Sequence, residues 1–87
     1  MNKPLTAQEL ENWGFSFGGL VKEETFHYDT WTNEICGCWM EVTNEYQPNG
    51  TFTKQYYELN SYCLIEETSQ EIFVKLLKLL KDAEHKY

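Results

Sequence analysis

The chain has 87 residues, a length that supports one hydrophobic core, so we expect residues 1–87 to form a single domain. Hydrophobic residues make up 41% of the sequence, which excludes an intrinsically disordered chain. The formal net charge is −7 and every basic residue is a lysine. Direct binding to nucleic acid is therefore disfavoured, because affinity for phosphates depends on positive charge and arginine is their usual bidentate ligand.

The first predicted element is a short helix at about residues 7–13. Thr6 and Glu9 have the spacing of a capping box, in which each side chain satisfies a backbone N–H at the start of a helix. Leu5 and Leu10 have the spacing of a hydrophobic staple. Gly14 is typical of the residue that follows a helix, because it adopts positive φ without steric cost.

The middle of the chain predicts strands. Residues 15–28 read as an extended first strand with a kink at Gly18-Gly19, followed by a polar loop at residues 29–34 that contains Trp31. Alternating apolar and polar residues predict a second strand at residues 35–46.

Two further strands follow in the prediction. Pro48-Asn49-Gly50 predicts a hairpin turn that leads to a third strand at residues 51–59. A weaker turn at Asn60-Ser61 leads to a fourth strand at residues 62–66.

The strand register follows from the first of these turns. A two-residue loop at Asn49-Gly50 pairs Val42 with Tyr57 and gathers apolar side chains on one face. The same register puts Glu41 opposite Glu58, which is an unfavourable like-charge pair. Because the proline before the turn also permits a three-residue loop with a bulged glycine, a pairing shifted by one residue stays open.

The last predicted element is an amphipathic helix that begins at a second capping box, Thr68 and Glu71. Its apolar positions fall on one face and its lysines lie on the other side. The apolar set is Ile72, Phe73, Leu76, Leu77 and Leu80, and the lysines are Lys75, Lys78 and Lys81. The predicted fold class is therefore α+β: an antiparallel meander of about four strands, with a short N-terminal helix and an amphipathic C-terminal helix packed on one face.

Both ends of the chain resemble a known group of proteins. The motifs are Leu5-Thr6-x-x-Glu9-Leu10-x-x-Trp13-Gly14-Phe15 and Glu67-Thr68-Ser69-Gln70-Glu71-Ile72-x-x-Lys75-Leu76-Leu77-Lys78. They resemble small uncharacterised proteins encoded by bacteriophages and prophages of AT-rich bacteria. The resemblance implies an accessory protein, such as an antagonist of host defence or a modulator of a host enzyme, and it implies no catalytic residue.

Cysteines are the candidates for a metal site or a nucleophile. Three thiolates, Cys36, Cys38 and Cys63, would need a fourth ligand to hold zinc, and they lack the Cys-x-x-Cys spacing of zinc knuckles. We expect Cys36 and Cys38 to share one strand face and to pack as small apolar residues. Neither histidine has the spacing of a catalytic base, so we expect no catalytic residue, no metal and no cofactor.

The location of the protein is expected to be the cytoplasm. The cysteine number is odd and the N-terminal residues lack a signal-peptide pattern, which favours a reducing compartment. No apolar run approaches the length that crosses a membrane. If a phage encodes the protein, this compartment is the cytosol of the host cell.

The candidate binding residues lie on the second face of the predicted sheet. In the predicted register this face carries Trp39, Tyr56, Cys63 and Ile65 beside Glu41, Glu58 and Lys54. The C-terminal helix cannot cover both faces of the sheet. Either the first helix, the first strand and Trp31 close over this second face, or it is an exposed aromatic and acidic surface.

Two hypotheses for function follow, and neither is enzymatic. The first is a phage-type accessory or inhibitor protein that binds the basic surface of a partner protein through Trp31, Trp39, Tyr56, Glu41 and Glu58. The second is a protein that sequesters a small nucleotide signal, with aromatic rings stacking on the base and Lys54 or Lys75 contacting phosphate. A homo-oligomer with ligand pockets at its interface would favour the second hypothesis.

Overall fold

The computed structural model describes residues 3–59 and 69–85, and these ranges contain two helices and a four-stranded antiparallel sheet. The helices are α1 (Ala7–Asn12) and α2 (Gln70–His85), and the strands are β1 (Ser16–Lys22), β2 (His27–Ile35), β3 (Cys38–Tyr46) and β4 (Phe52–Leu59). Neighbouring strands in the sheet are also neighbours in the chain, so the sheet is a meander. The predicted α+β fold class is confirmed.

The identity of the strands differs from the prediction. The segment predicted as one kinked strand and a loop forms the hairpin of β1 and β2, closed by a hydrogen bond from the Glu23 N–H to the Phe26 carbonyl. The prediction of a polar loop at residues 29–34 was wrong, because these residues lie in β2. The predicted fourth strand at residues 62–66 lies outside the described residues.

A tight turn at Cys36-Gly37 joins β2 to β3. Both residues have positive φ, 53° for Cys36 and 78° for Gly37, which is the combination that a type I′ turn requires. Cys36 therefore does not share a strand face with Cys38, and that prediction was wrong. The Cys36 Sγ lies 3.4 Å from the carbonyl oxygen of Leu80 in α2.

The predicted register of β3 and β4 is confirmed. Val42 lies opposite Tyr57 and Glu41 lies opposite Glu58. The loop is longer than two residues, however, because the Gln47 N–H donates to the Thr51 carbonyl across it. The pairing shifts by one residue between Glu45 and Tyr46, next to this loop, and this shift accommodates the longer loop. The rest of the hairpin keeps the predicted register.

Strand β1 carries a bulge at its two adjacent glycines, where the kink was predicted. Phe17 pairs with Trp31 and Gly19 pairs with Thr30, so Gly18 has no partner in β2. A Cβ atom on Gly18 would lie 2.6 Å from the Thr30 Oγ1 and 3.2 Å from the Thr30 carbonyl oxygen. Strands β1 and β2 therefore approach each other too closely at this point for a side chain.

The variant Gly18→Ala is expected to lower the free energy of unfolding by about 1–3 kcal/mol, because the added methyl group must displace Thr30 and its backbone. Ser16→Ala, an exposed change in the same strand, is the control and should stay within about 0.5 kcal/mol of the parent protein. Urea unfolding measures both. Equal stability of the two variants would contradict the close approach of the strands.

Helix α1 begins and ends as predicted. The Thr6 Oγ1 accepts a hydrogen bond from the Glu9 N–H at 3.1 Å, and the Glu9 Oε1 accepts one from the Thr6 N–H at 3.0 Å. After the helix, Gly14 has a φ of 97°, and the next N–H, of Phe15, donates back to the Leu10 carbonyl. Leu10 and Phe15 are both buried, so this C-terminal turn directs the chain into the core.

Both helices pack on the same face of the sheet. A single core cluster contains Leu10 of α1, Phe73 and Leu77 of α2, Phe15, and the strand residues Trp31, Ile35, Met40, Val42 and Tyr57. In β2 and β3 these strand residues occupy alternate positions, which point to one side of a sheet. We call this side the helix face and the opposite side the outer face.

Helix α2 buries a narrower stripe than predicted. Phe73 and Leu77 are fully buried and Leu80 packs against the core, but Ile72 is 54% exposed. The Ser69 Oγ accepts a hydrogen bond from the Ile72 N–H at 3.2 Å and so acts as a cap of this helix. The cap predicted at Thr68 lies outside the described residues.

Candidate functional site

The outer face carries most of the predicted binding residues. Its side chains alternate with those that contact the helices, and the strand pairing brings together Glu34, Trp39, Glu41, Thr43, Glu45, Lys54, Tyr56 and Glu58. Neither of the two described helices packs on this face, since both contribute to the core on the helix face. The prediction that an aromatic and acidic set would share one face therefore agrees with the strand register.

Aromatic side chains on the outer face differ in how firmly they are held. Trp39 lies at the start of β3 and is 38% exposed. Tyr56 is half-buried, and its hydroxyl group donates to the Glu45 Oε1 at 3.2 Å. The Lys54 Nζ lies 4.9 Å from the centre of the Tyr56 ring, which is cation–π distance. Tyr56 is thus oriented by its neighbours, whereas Trp39 presents apolar surface to solvent.

The outer face has an acidic balance. Four of its residues are glutamates, at positions 34, 41, 45 and 58, and Lys54 lies opposite Glu45 in the strand pairing. Glu41 and Glu58 lie directly opposite each other, an arrangement that is unfavourable for like charges. Among the described residues of this face, acidic side chains therefore outnumber basic ones.

Two predicted binding residues lie elsewhere. Trp31 is in β2 on the helix face and is only 8% exposed, so the predicted placement of this residue on or over the outer face was wrong. Lys75 is exposed on α2, where its Nζ lies 3.5 Å from the Glu71 Oε1. Since α2 packs on the helix face and Lys54 lies on the outer face, these two lysines do not form one phosphate site. Cys63 and Ile65 lie outside the described residues.

A cleft on the helix face was not predicted. It has a volume of about 480 Å³ and lies between the chain that leads into α1 and the sheet. Its lining residues are Lys3, Pro4, Leu5, Thr6, Ala7, Asp29, Trp31, Asn44, Tyr46 and Phe52. A smaller hollow of about 270 Å³ shares Asp29 and Tyr46 with the cleft and is also lined by Phe17, Leu20 and Gly50.

Asp29 is the acidic residue among those that line the cleft, and it is only 9% exposed. One carboxylate oxygen accepts a hydrogen bond from the Asn44 Nδ2 at 2.9 Å, and the other accepts one from the Tyr46 hydroxyl group at 2.8 Å. The Asn44 Oδ1 in turn accepts from the Gln55 Nε2 at 2.8 Å. The carboxylate therefore belongs to a continuous buried network that crosses β2, β3 and β4.

The backbone of the N-terminal segment is attached to the same network. The Gln55 Oε1 accepts from the Leu5 N–H at 2.9 Å, and the Gln55 Nε2 donates to the Leu5 carbonyl at 3.0 Å. The Gln55 side chain thus helps to fix the segment that forms one wall of the cleft, and the Gln70 Nε2 also donates to this segment, at the Lys3 carbonyl. The register prediction contained a clue to this arrangement, because it places Asn44 and Gln55 opposite each other on the face of Val42 and Tyr57.

The pKa of Tyr46 is raised to about 12 by burial, by its hydrogen bond to Asp29 and by the negative charge of Asp29. An unfolded tyrosine has a pKa of about 10, so the unfolded chain releases this proton first as the pH rises. The stabilisation that the neutral phenol provides is therefore complete below about pH 10 and is lost as the pH rises to about 12.

The expected result is that the stability difference between the parent protein and Tyr46→Phe shrinks over this pH window, since phenylalanine has no proton to lose. Urea unfolding at a series of alkaline pH values measures the difference. A difference that stays constant from about pH 10 to about pH 12 would contradict the raised pKa.

The described part of the chain contains neither a cluster of metal ligands nor a helix suited to cross a membrane. Cys36 and Cys38 are free thiols, and no group of three or more His, Cys, Asp or Glu side chains within residues 3–59 and 69–85 is arranged to hold a metal ion. In the same ranges, neither helix combines the length and the apolar character that a membrane-crossing helix needs.

The chain was also compared with known proteins. No protein-family model, no curated protein and no solved structure matches it.

Proposed function

We propose that the protein is a non-enzymatic binding protein whose outer face docks against the basic surface of a partner protein. The observation that carries this proposal is the exposed Trp39 on an acidic sheet face that neither described helix covers. The proposal concerns binding alone and assigns no catalytic role to any residue of this face.

Aromatic residues support a protein partner. Tryptophan and tyrosine are enriched in protein interfaces and contribute large contact areas at a low cost in side-chain entropy. The hydrogen bond from Tyr56 to Glu45 and the position of Lys54 over its ring reduce that cost further, because the ring is already oriented before the partner binds.

Charge supports a basic partner. Among the described residues of the outer face, the glutamates outnumber the lysine, Lys54, and the whole chain has a net charge of −7. Complementary charge accelerates association and excludes partners of the wrong sign. The alternative hypothesis of a sequestered nucleotide has less support, because a phosphate at Lys54 would meet the acidic field of this face and Lys75 lies in an ion pair with Glu71.

The biological setting that we propose is a phage-type accessory or inhibitor protein that acts in the cytoplasm on a host defence protein or a host enzyme. The support for this setting is the resemblance of the two ends of the chain to phage and prophage proteins. A direct test is to express the protein in a bacterial host and to compare phage plating on cells with the parent protein and with the outer-face variants described next.

The binding proposal is tested by site-specific photo-crosslinking in a lysate of the source organism. A photo-reactive residue at Thr43, at the centre of the outer face, should capture a basic protein that the same residue at the exposed Leu79 of α2 does not capture. The captured protein is then identified by mass spectrometry, purified and used for affinity measurements. Equal capture from both positions would contradict a specific outer-face interface.

With the purified partner, Trp39→Ala is expected to weaken binding by about 2 kcal/mol, as the loss of an interface tryptophan does. Glu41→Lys should slow association, and the slowing should diminish as the salt concentration rises. Glu71→Lys is the charge-matched control on exposed α2 and should leave binding unchanged. If Glu71→Lys weakens binding while Trp39→Ala and Glu41→Lys do not, the interface lies on the helix side and the proposal fails.

A further inference from the structure

The cleft on the helix face lies on the opposite side of the sheet from the proposed protein interface, so its chemistry needs a separate explanation. We infer that this cleft binds a small organic cation, an ammonium or guanidinium group carried on an apolar or aromatic body. The inference rests on Asp29, on the aromatic side chains around it and on the size of the cleft.

Asp29 supplies a buried negative charge. Its two hydrogen-bond donors, Asn44 and Tyr46, are both neutral. The ion pairs found within residues 3–59 and 69–85 do not include Asp29. A buried carboxylate is costly without a positive partner, and its two oxygens together have about four acceptor positions, of which two are used. A cation in the cleft would use this remaining capacity and compensate the charge.

Aromatic residues line both the cleft and the smaller hollow together with Asp29. In the cleft, the Tyr46 and Phe52 rings meet edge-on with their centres 6.0 Å apart. Phe17, which lines the smaller hollow, packs against Trp31, which lines the cleft, with ring centres 5.1 Å apart. Rings of this kind attract cations through their π-electrons and also bury apolar surface. Phe17 and Phe52 are both exposed, so they are available for contact with a ligand.

The remaining features limit the kind of cation. A volume of about 480 Å³ lies in the range of small-molecule sites, which is larger than a metal ion requires. Lys3 is exposed at the edge of the cleft and is the basic side chain among its lining residues. Its positive charge repels any cation near it, and this repulsion is smaller for a ligand with a single charge at Asp29 than for a polyamine. A single cationic group on an apolar body occurs in free aryl-alkyl amines and in the lysine or arginine side chain of another protein.

The experiment is an NMR titration with three probes of similar shape and different charge: 2-phenylethylammonium, neutral 2-phenylethanol and anionic 3-phenylpropionate. The tryptophan indole N–H signals report the location of binding, because Trp31 lines the cleft and Trp39 lies on the outer face. We expect the ammonium probe to shift the Trp31 signal and to leave the Trp39 signal unchanged. The neutral probe should bind more weakly, and the anionic probe more weakly still.

Variants then assign the affinity to the charge and to the rings. Asp29→Asn should reduce the affinity for the ammonium probe about tenfold or more and should change that for the alcohol little. Asp29→Asn also disturbs a buried network, so a second variant is needed. Phe52→Ala removes an exposed ring of the cleft and should weaken binding of the ammonium probe. Phe26→Ala, at an exposed ring that stacks on Tyr28 outside the cleft, is the control and should have no effect.

A further arm distinguishes the two sources of the cation. A blocked peptide with one lysine is compared with its acetyl-lysine form and with the free amine. Tighter binding of the lysine peptide than of the free amine assigns the cleft to a protein side chain, and the reverse order assigns it to a small amine. Equal binding of the ammonium and alcohol probes, shifts confined to Trp39, or no shift with any probe would overturn the inference.

Discussion

The variant Phe73→Ala is expected to lower the free energy of unfolding by about 3–5 kcal/mol, which is the range for removing a buried aromatic side chain. Phe73 is fully buried, and its ring centre lies 6.2 Å from that of Phe15 and 5.1 Å from that of Tyr57. It therefore connects α2 with the segment after α1 and with β4. Its removal leaves a cavity among all three elements, and none of them can move inward without losing other contacts.

Chemical denaturation of Phe73→Ala and two controls tests this role. Leu79→Ala removes an apolar side chain that is 65% exposed on the same helix, and it should stay within about 0.5 kcal/mol of the parent protein. Ile72→Ala is the second control. The sequence predicts that Ile72 belongs to the buried apolar face of α2, whereas the structure exposes it, so this variant should cost less stability than Phe73→Ala. A larger loss for Ile72→Ala than for Phe73→Ala would contradict the packing of α2.

Elements specified by local interactions could be predicted from the sequence. The capping box at Thr6 and Glu9 and the glycine after α1 act within a few residues of the chain, and both are found in the structure. The register of β3 and β4 was also predictable, because only one pairing gathers Val42 and Tyr57 on the apolar face. A register shifted by one residue would have exposed that set to water.

Strand β2 could not be predicted, because the contacts that stabilise it come from residues that are distant in the chain. Its helix-face positions include Asp29 and Asn33, which give residues 29–34 the polar composition of a loop. Burial of Asp29 is stabilised by hydrogen bonds from Asn44 and Tyr46 in β3, and Asn33 donates to the carbonyl of Trp13. These partners are distant in sequence, so no local pattern reveals them.

The two candidate sites also differ in how far the sequence could predict them. Trp39, Glu41, Tyr56 and Glu58 could be placed on one face because the register of β3 and β4 was predictable. Trp31 was misplaced because its strand was not recognised. The cleft around Asp29 depends on contacts between the N-terminal segment and the sheet. The predicted register pairs Asn44 with Gln55, but it does not indicate that Gln55 binds the Leu5 backbone.

The last prediction concerns the glutamine that holds this N-terminal segment. Gln55→Leu is expected to lower the free energy of unfolding by about 3 kcal/mol, since each buried polar group that loses its partner costs about 1–3 kcal/mol. The change keeps the approximate size of the side chain but removes its hydrogen bonds to Asn44 and to both backbone groups of Leu5. Gln47→Leu, at an exposed glutamine in the loop between β3 and β4, is the matched control and should have little effect.

Hydrogen exchange distinguishes this local role from a general loss of stability. In Gln55→Leu the Leu5 N–H should exchange faster than the loss of global stability alone explains, because its acceptor is gone. In Phe73→Ala, by contrast, the Leu5 N–H should follow the global change, since Gln55 is retained. If the Leu5 N–H follows only the global change in both variants, then Gln55 does not fix the wall of the cleft, and the cleft owes its shape to the packing of Leu5 against the core.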